Sequence, residues 1–257
     1  MRPHKNVYSS SYNRILLLLF VFVCDILLAS QFLFDERGSF MDSIFFIFEI
    51  IGVVAFSLSG ALTAMKKEMD IFGACVLGMT TAIGGGIIRD LILGVTPPTA
   101  FVNPLPATLG LAVAALTYLP FIQKFFARNQ HKVQAISLMI ADAVGLGVFT
   151  VVGVNACFDN LPNPNFFTAV FLGMITGVGG GVLRDVFSMN LPKIFVKHFY
   201  ACASLAGAVL VYLVRVCGGD VLLASIVGAA AVITLRFLAF FLRWNLPKPK
   251  YPIEEEK

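Results

Sequence analysis

The sequence predicts an all-α polytopic membrane protein, built from two inverted three-helix repeats and a seventh core helix, with an extra N-terminal helix as an accessory. Three observations carry this. Of 257 residues, 58% are hydrophobic and only 13% charged, with a mean hydropathy of +0.86. A soluble domain carries roughly a quarter charged residues. Apolar stretches recur along the chain, each near the ~20 residues that a helix needs to span a bilayer. One motif, Gly-Gly-Gly-x-x-Arg-Asp, occurs twice inside such stretches, at Gly84–Asp90 and Gly179–Asp185.

Residues 1–40 form an N-terminal extension. Its Leu-rich candidate span, Ile15–Phe34, follows a basic start (Arg2, Lys5, Arg14) and contains Asp25. Three readings stand for it: a signal sequence, a real extra helix, or a stretch upstream of a start at Met41. The first repeat, 41–122, holds candidate spans Ser43–Ala64, Asp70–Val95 and Pro104–Ile122. The second, 133–216, holds Val133–Cys157, Asn165–Ser188 and Lys197–Val216. The last span, Val221–Leu242, lies in 220–243, and residues 244–257 form a tail.

Basic residues set the orientation. Fourteen fall on alternate ends of the spans: Arg2, Lys5 and Arg14; Lys66 and Lys67; Lys124, Arg128 and Lys132; Lys193 and Lys197; Arg243, Lys248, Lys250 and Lys257. The opposite ends carry only Arg37 and Arg215. The first set is expected to be cytoplasmic, which places the C-terminal tail inside.

Gly78–Pro97 aligns with Gly173–Pro192 through Gly78, Met79, Thr81, Gly84, Gly85, Gly86, Arg89, Asp90 and Pro97. The preceding helices match as well: Glu49-x-x-Gly52 with Asp142-x-x-Gly145, Phe56 with Phe149, Gly60 with Gly153. Each helix lies three spans from its copy, an odd number, so the second copy runs the opposite way. Inverted repeats of this kind build transporter sites from interrupted helices near the midplane.

The glycines have two readings. Gly78, Ala82 and Gly86, and likewise Gly173, Gly177 and Gly181, repeat every fourth residue on one face, as in close helix contacts. Gly84-Gly85 and Gly179-Gly180 lie on other faces. Three successive glycines weaken a helix, and freed carbonyls at membrane depth are tolerated where they line a cavity. All six glycines, Gly84 to Gly86 and Gly179 to Gly181, are therefore candidates for a kinked, conduit-lining segment.

Ionisable groups at membrane depth point to function. Neighbours on a helix point about 100° apart, so Arg89 and Asp90 are not expected to neutralise each other. Matching depths suggest the pairs Arg89–Glu49 and Arg184–Asp142, leaving Asp90 and Asp185 to face a cavity or cap backbone. A purely structural role for these pairs stays open beside a role in conduction. Cys24, Cys75, Cys157, Cys202 and Cys217 read as small buried hydrophobes. Three histidines and no paired ligand spacing give no metal centre, no cofactor and no nucleophile–base set, which argues against an enzyme. The net charge of +4 sits in short inter-span segments and does not indicate nucleic acid.

Both glycine motifs, Glu49-x-x-Gly52, Ser59-Gly60-Ala61 and Lys66-Lys67-x-Met69-Asp70-x-Phe72-Gly73 are similar to the TRIC family of trimeric cation channels, whose bacterial relatives carry a glycine-transporter domain name. The resemblance runs from about Met41 to Arg243. It implies seven core helices in the bacterial inner membrane, a homotrimer, and a pore in each protomer through the kinked second and fifth core helices. It further implies a channel for K+ and Na+. The alternative is a transporter for a small amino acid such as glycine, which Arg89 and Arg184 would suit as carboxylate-binding groups.

Overall fold

A computed structural model of the chain describes residues 40–128, 130–196, 199–242 and 244. The candidate span Ile15–Phe34 and most of the tail lie outside these residues. The described residues form ten helices: α1 (Phe40–Lys66), α2 (Ile71–Leu93), α3 (Thr99–Val102), α4 (Leu105–Thr117), α5 (Pro120–Arg128), α6 (Gln130–Asn160), α7 (Phe166–Phe187), α8 (Lys193–Val196), α9 (Tyr200–Val216) and α10 (Val221–Phe241). Five of them, α1, α2, α6, α7 and α10, are long and apolar enough to cross a membrane. Large apolar side chains such as Phe72, Phe167, Leu205, Leu223 and Phe240 stand exposed on the outside. Alanine, glycine, serine and threonine fill much of the interior. That is the distribution expected where lipid replaces water and helices associate by close packing.

Local chemistry sets several helix ends. Asp70 and Asn165 stand at equivalent N-caps of α2 and α7, and accept from Gly73 N at 2.7 Å and Thr168 N at 2.8 Å. Asp220 caps α10 in the same manner. Such caps satisfy amide groups that the first turn leaves unpaired. Gly94, at φ +74°, closes α2 in the left-handed conformation that suits glycine.

Two trios make the body. Helices α1, α2 and α4 pack on one another, and so do α6, α7 and α9. Equivalent hydroxyls tie each trio: Ser57 on α1 donates to Gly110 O on α4, and Thr150 on α6 meets Ser204 Oγ on α9 at 2.7 Å. The trios join through α1 with α6 and α2 with α7. Gly52 faces the Phe149 ring while Gly145 faces the Phe56 ring, and Gln134 reaches Leu62 O, so α1 and α6 run antiparallel with equivalent residues exchanged. Helix α10 lies outside the trios, against α6 and α9.

The expected span Pro104–Ile122 is corrected. Pro120 disfavours helix at Leu119, and the segment divides into α4, of 13 residues, and α5. At 1.5 Å per residue α4 is only about 20 Å long, short of a hydrocarbon core of about 30 Å. Helix α9, with 17 residues, is also short. A second correction concerns the cysteines: Cys157 is buried, but Cys202 and Cys217 are exposed.

A cavity and a buried ion cluster at opposite ends of the glycine helices

The C-terminal ends of α2 and α7 carry the same motif into different surroundings. Antiparallel α1 and α6 define the two ends. Glu49 and Asn155 lie towards one, near α3; Ser59 and Asp142 lie towards the other, near α8.

At the α3 end a cavity of about 410 Å³ opens between α1, α2 and α6. Glu49, Arg89, Asn103, Asn155 and Asp159 supply its polar wall, and Val53, Ala82, Ile83, Gly86 and Phe149 contribute apolar wall. Arg89 does not pair with Glu49 as its depth suggests. Its Nε donates to Asp90 Oδ1 at 2.8 Å, and Nη2 lies 2.6 Å from the same oxygen. Neighbouring Cβ atoms do diverge, but the long guanidinium stem curls back past its own Cβ direction. Among the described residues Glu49 makes no ion pair within 4 Å, so its carboxylate stands on the cavity wall. Asp90 Oδ2 accepts from Thr99 N at 2.8 Å and Thr99 Oγ1 at 2.6 Å, which ties the short helix α3 to α2.

At the α8 end the equivalent groups are packed shut. Arg184 and Asp142 are wholly buried and meet at 2.5 Å, in the pairing that their depths predict. Arg184 Nε and Nη2 also donate to Asp185 Oδ1 at 2.9 and 2.8 Å, so an adjacent pair forms here too. Nη1 reaches Ser59 Oγ on α1. Asp142 Oδ2 lies 3.2 Å from Lys193 Nζ and 3.6 Å from Arg236 Nη2. Tyr200 Oη donates to Asp142 Oδ1 at 3.4 Å, and the Arg236 guanidinium sits 4.6 Å above the Tyr200 ring. Asp185 Oδ2 accepts from Lys193 N at 2.9 Å, as Asp90 does from Thr99. Among the described residues three cations thus face two carboxylates. Burial, then the neighbouring Arg184 charge, push the Lys193 ammonium down to about 8, with Asp142 and Asp185 opposing.

Sequence reasoning assigned no role to Ser59, Thr99, Asn155, Lys193, Tyr200 and Arg236 in these two places. Arg236 was visible as a charge within the last span. Lys193 read as a loop base, and nothing local marks Thr99 or Tyr200.

Between the two ends the glycine helices cross at backbone contact. A Cβ on Gly85 would overlap the Thr176 carbonyl, and one on Gly180 would overlap the Thr81 carbonyl. Thr81 and Thr176, like Gly85 and Gly180, are equivalents, so this contact is reciprocal. The Phe56 and Phe149 rings meet beside it, with centroids 5.2 Å apart. Helices α2 and α7 both run unbroken through their glycines. Gly84 packs under Leu183, and Gly179 lies against Gly85. The packing face inferred from spacing holds for Gly173, Gly177 and Gly181, but not for Gly86. A Cβ on Gly86 would meet only Arg89 Nη2, at 3.9 Å, because that glycine lines the cavity.

Known proteins are similar to this chain in sequence and fold. A family model described as Glycine transporter matches the chain twice, over residues 46–121 and 139–215. The UPF0126 inner membrane protein YadS of Escherichia coli K12 is 35% identical over 209 residues, which covers 80% of this chain and 96% of YadS. YvgT, a UPF0126 membrane protein of Bacillus subtilis, is 28% identical over 81% of this chain and 98% of its own. Among solved structures, a TRIC cation channel shares 39% identity at a TM-score of 0.69, covering 80% of this chain and 97% of that one. The TRIC trimeric intracellular cation channel orthologue from Rhodobacter sphaeroides shares 33% identity at a TM-score of 0.71, covering 79% and 100%. The doubled family match and the likeness along four-fifths of the sequence agree with the paired glycine helices, and the chain belongs to the TRIC family, together with the UPF0126 membrane proteins.

Proposed function

We propose that the chain is a channel for the monovalent cations K+ and Na+, assembled as a homotrimer in a bacterial inner membrane with a pore in each protomer. The carrying observation is the cavity between α1, α2 and α6, lined by Gly86 and Phe149, with the Glu49 carboxylate on its wall and no ion pair to it among the described residues. In this reading 41–122 and 133–216 are inverted repeats, and 220–243 adds the last helix. Residues 1–40 are an accessory, and the tail 244–257 is cytoplasmic. Gly84 to Gly86 and Gly179 to Gly181 shape the conduit. The α3 end is external and open, and the ion cluster around Asp142 and Arg184 closes the cytoplasmic end. Conduction then requires that cluster to part, since an exposed guanidinium would repel cations.

A second reading, import of a small amino acid, is favoured by one observation. Glu49 and Arg89 line the same cavity without pairing with each other, which leaves opposite charges for an ammonium and a carboxylate. Proteoliposomes separate the two readings, with K+ flux and glycine uptake measured side by side on one preparation. K+ flux without glycine uptake is expected. Glycine uptake without K+ flux replaces the channel by the transporter.

A further inference from the structure

The cavity wall holds one feature that the fold does not require. Asn155 on α6 is 3% exposed and lines the cavity. Its Nδ2 donates to Ser225 Oγ at 3.0 Å. The Ser225 hydroxyl has a single proton, and it is given to Val221 O at 2.7 Å. Ser225 must therefore accept from Asn155, and this fixes which end of the amide is the oxygen. That oxygen, Oδ1, is buried and has no hydrogen-bond partner. A buried acceptor left without a partner forfeits its hydration with nothing in return, and a group in this position calls for an explanation.

The same cavity holds the Glu49 carboxylate, which makes no ion pair among the described residues. Among its described lining residues the Arg89 charge is met by Asp90, which leaves the Glu49 carboxylate without a counter-ion within 4 Å. The balance is negative. At the other end of the glycine helices three cations face two carboxylates, so the balance there is positive. The field favours a cation in the cavity.

We infer that Glu49 and Asn155 Oδ1 form a binding site for one partly hydrated monovalent cation in the cavity at the α3 end. A hard cation takes oxygen ligands, and a carboxylate with an amide oxygen supplies two from opposite repeats. A calcium ion takes 6–8 oxygens and commonly several carboxylates. Two fixed oxygens with water completing the shell suit a singly charged ion. The site gives Asn155 Oδ1 the partner it lacks and places the cation in the cavity that Phe149 also lines. The assignment rests on the channel reading for its purpose, though not for its chemistry.

The test uses the purified full chain in detergent and in liposomes, with K+ as the probe and N-methylglucamine as the control cation. K+ is expected to stabilise the wild type against heat relative to the control. Glu49→Gln and, separately, Asn155→Ala should each raise the K+ concentration needed for that effect several-fold. Both should raise the half-saturating K+ concentration for flux by a similar factor. A folded Glu49→Gln protein with unchanged K+ stabilisation and half-saturation overturns the site; should that variant fail to fold, Asn155→Ala carries the same comparison. A wild type that K+ stabilises through Glu49 without passing K+ retains the site and overturns the channel reading. Stabilisation by glycine in place of K+ overturns the cation assignment.

Discussion

Replacing Asp142 by Asn removes one carboxylate from a cluster in which three cations already face two carboxylates. The variant would leave Arg184, Lys193 and Arg236 around a neutral amide, with Asp185 as the remaining counter-charge. At an effective dielectric near 20, each contact of Asp142 is a gross attraction of about 5 kcal/mol. Desolvation offsets most of that, and breaking a buried pair by removing one partner costs about 3–5 kcal/mol. Removing a cation acts differently, because it moves the cluster towards neutrality. Arg184→Gln should cost less than Asp142→Asn, although it also forfeits the bonds to Ser59 and Asp185. Lys193→Gln should cost least, since burial and Arg184 already oppose its charge. The double variant Asp142→Asn/Lys193→Gln should recover part of the loss of Asp142→Asn alone. Thermal unfolding in detergent, followed by size-exclusion profile, reads the order. If Lys193→Gln proves as damaging as Asp142→Asn, or the double variant loses the sum of both, the charge-balance reasoning is wrong.

The lowered Lys193 pKa gives a pH signature: below about pH 8 both folded and unfolded chains hold the proton, whereas from there to the ordinary 10.5 only the unfolded chain does. Stability should therefore rise with pH across that window in the wild type, and Lys193→Gln should flatten the rise in a thermal-shift series from pH 7.5 to 10. Gly85→Ala and Gly180→Ala should each destabilise the protein, because the carbonyl they strike belongs to a backbone that cannot move aside. Gly86→Ala has open space and should fold like the wild type; equal stability of all three would remove the backbone crossing. Reporter fusions after Lys67 and Arg128 should read cytoplasmic and those after Asn103, Asn160 and Gly219 external, while a cytoplasmic signal at Asn160 would refute the inverted repeat.

The elements legible in the sequence were those written as period and repetition. Apolar length located the long helices, and the doubled motif brought Gly85 and Gly180 to the centre. Arg184 with Asp142 followed from depth alone. Depth failed for Arg89 because it fixes where a side chain starts and not where a long one ends. Spacing failed for Gly86 because the partner helix near Gly181 has a cavity in its place beside Gly86. The contact of Lys193 with Asp142 was not legible, since a basic residue between two spans looks the same whether its chain loops into solvent or folds back over a buried carboxylate. Asn155 and Ser225 come from distant helices, and nothing local announces that they meet.

Helix α10 binds α6 at two distant points, through Ser225 to Asn155 and through Arg236 to Asp142. The two attachments are eleven residues apart on α10, which is about 16 Å along its axis. The higher-numbered residue of one helix meets the lower-numbered residue of the other, so α10 lies along α6 as an antiparallel strut that has no duplicate in the other trio. A rigid strut pinned at both ends cannot be released at one without loading the other. Tilting α10 about its Ser225 contact would draw Arg236 from Asp142, and tilting it about Arg236 would draw Ser225 from Asn155. Helix α10 thereby couples the cavity end of α6 to the ion-cluster end through one rigid body.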